Sequence, residues 1–135
     1  MRPDSSRTIR RFQKLVCILA VISGCGRKEH GEVMSKAVSP DSTVDAYLLR
    51  FGGPATVRFS YVISLVPHNQ PAPSGEEGEF VAEDPKGLTA TWDGSRILDI
   101  NYDSARIYRF TNFSNPLPGG LVELRLKPRG RTALP

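Results

Sequence analysis

Carboxylates are the most concentrated of the side chains that could do chemistry. Glu76, Glu77, Glu79, Glu83 and Asp84 crowd one short stretch. Their oxygens suit a hard cation such as Ca²⁺, but the ordered ligand spacing of a calcium loop is absent, so the run reads as a solvated loop. Two acids brought together in space could hydrolyse a glycoside, yet nothing in the spacing selects a pair. His30 and His68 are the only histidines. Neither has a second His at ligand spacing, and a zinc site takes three or four ligands, so both read as solvated. No serine sits in a Gly-x-Ser-x-Gly elbow. Gly52-Gly53 and Gly119-Gly120 lack the Lys-Ser or helix context of a phosphate loop. Asn112-Phe113-Ser114 has the form of a glycosylation triplet and reads as a strand end and turn. The expectation is a chain that is no enzyme and takes no cofactor or metal.

Arg106, Tyr108, Arg109, Phe110 and Phe113 interleave rings with guanidinium groups, and Tyr102 lies just upstream. Exposed, they would form a surface for a protein partner or a sugar face. Buried, they would be core, which is the better-supported reading because a small β domain needs such rings for stability. The five residues are kept as the candidate partner surface.

The two cysteines, Cys17 and Cys25, both fall near the start. The remaining chain therefore has no disulfide, thiolate nucleophile or cysteine metal site. Arg2, Arg7, Arg10, Arg11 and Lys14 precede the apolar run Leu15–Ile22, which ends in Ser23-Gly24-Cys25. A basic region, a short apolar stretch and small residues at a cut are the parts of a secretory signal. The run is too short to span a bilayer, which takes about 20 apolar residues. Arg10-Arg11 is a weak twin-arginine signal: Phe12 comes one position early and Gln13 stands where an apolar residue belongs, so the general secretory route is expected.

Ile22-Ser23-Gly24-Cys25 resembles the bacterial lipobox, with Ile22 in place of the usual Leu. The resemblance implies cleavage after residue 24, a diacylglycerol thioether on Cys25 and further acylation of the new amine. Two or more chains, at about 0.8 kcal/mol per buried CH₂, make a stable anchor where one does not. Gly26, where an Asp would favour the inner membrane, points to the periplasmic face of the outer membrane.

Of eighteen basic and fourteen acidic side chains, five and one lie in residues 1–24, leaving thirteen of each beyond. The apparent basicity thus belongs to the leader, and a neutral domain has no built-in attraction to nucleic acid.

These features need elements to position them. Residues 25–38 show no sustained period and read as the lipidated cysteine and a flexible tether. Ser39-Pro40-Asp41-Ser42 is a turn. Strands are predicted over Val44–Arg50, Thr56–Val66, near Glu79–Ala82, in a hairpin from Leu88 to Tyr102, over Ala105–Phe113 and over Leu121–Lys127. The hairpin turns at Asp93-Gly94 with Leu88 facing Leu98, which puts Leu88, Ala90, Leu98, Ile100 and Tyr102 on one face. Residues 67–78 form a loop rich in Pro, Ser, Gly and Glu, and 128–135 a frayed tail. The predicted fold is all-β: a small antiparallel sandwich or barrel-like meander of six or seven strands over 39–127, preceded by a signal-peptide helix.

Ser39-Pro40-Asp41 and Trp92-Asp93-Gly94-Ser95-Arg96-Ile97 resemble the hairpin turns of TolB-type β-propeller blades, although the chain has length for two blades at most. Most of 39–126, including Val66-Pro67, Tyr102-Asp103 and Phe110-Thr111-Asn112-Phe113, is similar to small uncharacterised bacterial envelope proteins. That implies a self-contained domain and transfers no site residue. The functional expectation is a lipid-anchored, non-catalytic β module for protein or cell-wall contact. The alternative is an inhibitor or immunity-type lipoprotein that inserts loop 67–78 into an envelope enzyme.

Overall fold

The computed structural model describes residues 30–52, 58–115 and 117–130. All elements among them are strands: β1 (Glu32–Val38), β2 (Val44–Phe51), β3 (Ser60–Pro67), β4 (Phe80–Lys86), β5 (Thr89–Trp92), β6 (Ile97–Tyr102), β7 (Ser104–Phe110), β8 (Phe113–Ser114) and β9 (Val122–Pro128). They form a five-stranded sheet in the order β1-β2-β3-β4-β7 and a four-stranded sheet in the order β5-β6-β9-β8.

The all-β expectation and its sandwich form hold; the barrel-like form does not, because the two sheets stay separate. Val44, Ala46, Leu48, Ile63, Leu65, Phe80 and Ala82 of the first sheet meet Leu98, Ile100, Val122 and Leu124 of the second in one buried cluster. Interdigitated side chains of two inner faces make the core of such a sandwich. Trp92 helps close it, donating its indole N–H to the carbonyl of Ala37 in the other sheet at 3.0 Å.

Nine strands replace the six or seven expected. The tether is one source: Glu32–Val38, assigned to it, is the edge strand β1. Its alternation is hidden because the register with β2 slips between Val33 and Ser35, a bulge, and only Ala37 packs on the core. β8 is the other source, split from β7 at Thr111. The domain also reaches further than 127, since β9 runs through Pro128 and the Arg129 amide donates to Tyr102. Residues 131–135 lie outside the described residues, as do residues 1–29 and the first two positions of the strand expected from Thr56.

Two pairings also differ from expectation. The β5–β6 register sets Trp92 opposite Leu98 and Ala90 opposite Ile100, four residues from the predicted register, with the turn closed by Asp93 donating to Ile97. An even slip keeps every side chain on its face, so the predicted apolar face survives the error. β6 and β9 run parallel rather than antiparallel, because the chain leaves the second sheet to add β7 to the first before it returns.

Candidate functional site

The interleaved segment falls mainly on β7, the edge strand next to β4. The pairs Phe80–Phe110, Val81–Arg109, Ala82–Ile107 and Glu83–Arg106 leave Tyr108 as an extra residue. With Ala105 and Ile107 packed inward, strict alternation would turn Arg109 inward and Phe110 outward. The bulge at Tyr108 resets the parity. Ile107 and Phe110 pack on the inter-sheet core, while Arg106, Tyr108 and Arg109 are exposed.

The core reading is therefore right for Tyr102 and Phe110 and wrong for two other rings. Tyr108 is 59% exposed and Phe113 53%. The exposed members form two groups. Tyr108 donates to Glu83 at 2.8 Å, and Arg58 lies 3.8 Å from the same carboxylate. Tyr108, and then the charge of Glu83, holds the Arg106 guanidinium above its usual range. Arg109 and Phe113 instead line a shallow groove of about 420 Å³ with Gly78, Glu79, Thr111, Ser114 and Asn115.

The acidic run is dispersed. Glu76 and Glu77 are exposed. Glu79 is a clamp: one oxygen accepts from Ser114 at 2.7 Å and the other from the Leu65 amide at 3.0 Å. This ties β3 to β8 and fixes the floor of the groove. Among the described residues no group of three or more His, Cys, Asp or Glu is placed to hold a metal ion.

Sequence reasoning missed the polar centre beneath the loop after β3. Asp45 is fully buried on the outer face of the first sheet. His68 Nδ1 lies 2.7 Å from Oδ1; the Asn69 amide and the Lys36 ammonium lie 3.0 and 3.2 Å from Oδ2. Burial pushes this carboxyl up, but these three partners outweigh it and hold the carboxyl below its ordinary range. Tyr47 then donates to Gln70 at 2.9 Å, and Ser64 to Glu77 at 3.1 Å. His68 is thus a partner of Asp45 rather than a solvated histidine, and loop 67–78 is tied down across its own sheet. Its only mark in the sequence is a single Asp inside an otherwise apolar stretch, Val44-Asp45-Ala46-Tyr47.

The two turns that prompted the propeller comparison meet in space. Asp41 accepts from Ser39 at 2.7 Å and from Thr43 at 2.8 Å, and Arg96 reaches its other oxygen at 2.7 Å. Those hydroxyls, followed by the guanidinium, hold Asp41 down at about 2. Arg96 also donates to Pro118 at 3.0 Å, so one side chain joins three connections at this end of the sandwich.

Fold and site together define a two-sheet β sandwich with an exposed aromatic and arginine strip on one edge strand. Comparison with protein-family models, curated proteins and solved structures finds no match. Ile22, Ser23, Gly24 and Cys25, the expected cleavage and lipidation residues, lie outside the described residues.

Proposed function

We propose that this chain is a lipid-anchored envelope protein whose sandwich is a non-catalytic module for contact with a protein or the cell wall. The anchor is the lipid on Cys25, and the location is the periplasmic face of the outer membrane. One observation carries the contact surface: Tyr108 and Phe113 stand in solvent near Arg106 and Arg109, while Phe110 between them packs on the core. Exposed aromatic and arginine side chains on a rigid scaffold are the residue types that dominate binding energy at interfaces.

Position supports this reading for the Arg109 and Phe113 group, whereas Arg106 and Tyr108, joined to Glu83 opposite Ser60, lie toward the end where β1 starts. β1 begins at the end of the sandwich where β2 finishes, since Glu32 pairs with Arg50. Phe113 and the groove lie toward the opposite end, beside the start of β9. A chain anchored through residues before β1 would therefore hold the groove away from the lipid. Loop 67–78 adds only Gly78 to the rim of this groove, since Tyr47, Ser64 and Asp45 bind the loop to its own sheet.

Two measurements test the proposal. Protein extracted from cell membranes should have the mass of residues 25–135 plus acyl chains; an uncleaved, unmodified chain in the soluble fraction would remove the anchor. A photo-crosslinking residue at position 113, in intact cells, should capture a defined partner that the same residue at position 91 does not. Equal capture at both positions, or none at 113, would remove the contact surface.

A further inference from the structure

We infer that the β1-start end of the sandwich rests on the lipid headgroup layer, with Phe59 as its interfacial side chain. This rests on the anchoring reading above and adds an orientation to it. The first argument is chain length. With β1 starting at Glu32, only six residues separate Cys25 from the folded domain. Fully extended, that connection reaches about 25 Å, and any slack brings the domain closer.

The second argument is what this end carries. His30, Glu32, Arg50, Phe51, Gly52 and Phe59 line a groove of about 430 Å³. Phe59 is 43% exposed at this end. Its ring packs against Gly52, where a Cβ would collide with it, and the Arg50 guanidinium sits 5.0 Å from its centroid. A half-exposed apolar ring beside a guanidinium suits an interface, where Phe enters the acyl boundary and a basic group stays at headgroup level.

Charge narrows the lipid. Arg50 is paired with Glu32, and Arg58 lies 3.8 Å from Glu83. These two guanidinium groups have acidic partners within the protein, which suits a zwitterionic surface, so docking is expected without anionic lipid.

The chain supplies its own control. Its single tryptophan, Trp92, is hydrogen-bonded to Ala37 near the far end of β1, roughly 20 Å further from the anchor by strand rise. The experiment uses full-length protein, acylated in cells, mass-checked and reconstituted into zwitterionic phosphatidylcholine vesicles containing lipid brominated near the headgroup. In F59W/W92F, fluorescence at position 59 should be quenched about threefold more than native Trp92, as expected of an interfacial aromatic. A nitroxide on Arg58→Cys, whose native side chain is already exposed, gives the same depth reading should F59W disturb the fold. Equal quenching at 59 and 92, or stronger quenching at 92, in protein of acylated mass would overturn the orientation while leaving the anchor. A mass without acyl chains would overturn both.

Discussion

The outer faces of the two sheets are built in opposite ways. On the second sheet Thr91 stands opposite Asp99 and Thr89 opposite Asn101, with Glu123 and Arg125 alongside; Asn101 bonds Thr91 at 3.0 Å and Arg125 bonds Glu123 at 3.0 Å. This is a polar ladder of exposed and half-exposed side chains, in which one carboxylate oxygen of Asp99 is buried without a partner. On the first sheet the outer face holds Tyr47, Leu49, Phe51 and Val62, all buried, with Val66, Val81 and Ala72 of the following loop packed against them. Asp45 and Ser64 are the buried polar side chains that interrupt it. An apolar outer face needs a cover, and here the loop after β3 is that cover, fastened by Asp45 at one end and by Ser64 and Glu79 at the other. The contrast explains why a loop with the composition of a projecting segment lies flat.

The largest expected effect is at that fastening. Asp45→Ala leaves Lys36 uncompensated, removes the partner of His68 and orphans the Asn69 amide. Lys36 and His68 keep access to water, so no buried charge is stranded; the cost is that of three hydrogen bonds to a charged group, at about 1.5–3 kcal/mol for each such bond. Urea unfolding should show this as a loss of midpoint, with faster amide exchange in residues 68–79 than in β9. A cost below about 1 kcal/mol would mean that the carboxylate does not hold the loop.

Leu49→Ala sharpens the comparison within the same face. Leu49 is fully buried but lies outside the inter-sheet core. If the loop makes this face a true second core, the substitution should cost about 3 kcal/mol, as in other buried Leu→Ala changes. A cost near zero would show a cover too loose to exclude water.

Acid should act on the carboxylates at the turn and beneath the loop. Asp41 and Asp45 are both held below their ordinary range, Asp41 at about 2. Because the folded state binds their protons less readily than the unfolded chain, their contribution is complete above about pH 4. It is lost as pH falls from there toward about 2 through the folded value of Asp41. Denaturant midpoints should therefore fall across that window. Asp41→Asn should flatten part of the fall, because the amide has no proton to gain.

The same contrast sets how much was legible in the sequence. Strands with one wet face alternate cleanly. Leu121–Lys127 and the hairpin strands were placed on the correct face, even though the hairpin register was four residues out. β2 is buried on both sides, so its residues carry no alternation from which to infer a cover, and the loop's role was invisible. β1 was missed for the opposite reason: an edge strand with a bulge buries too little to show a period. At the candidate site the residue types were readable, but their directions depended on one bulge at Tyr108. A parity change of that kind comes from pairing with β4 and leaves no mark in β7 itself.

The smallest expected effect lies on the second sheet. Thr91 is exposed, and its hydroxyl accepts one hydrogen bond, from Asn101, at the surface. In Thr91→Ala both freed groups can turn to water, so the net cost should stay within about 0.5 kcal/mol. A loss of about 2 kcal/mol would mean that something covers this face as the loop covers the other. The asymmetry between the sheets would then belong only to the isolated chain. The test matters for the contact surface, because position 91 serves as its control only while this ladder faces water.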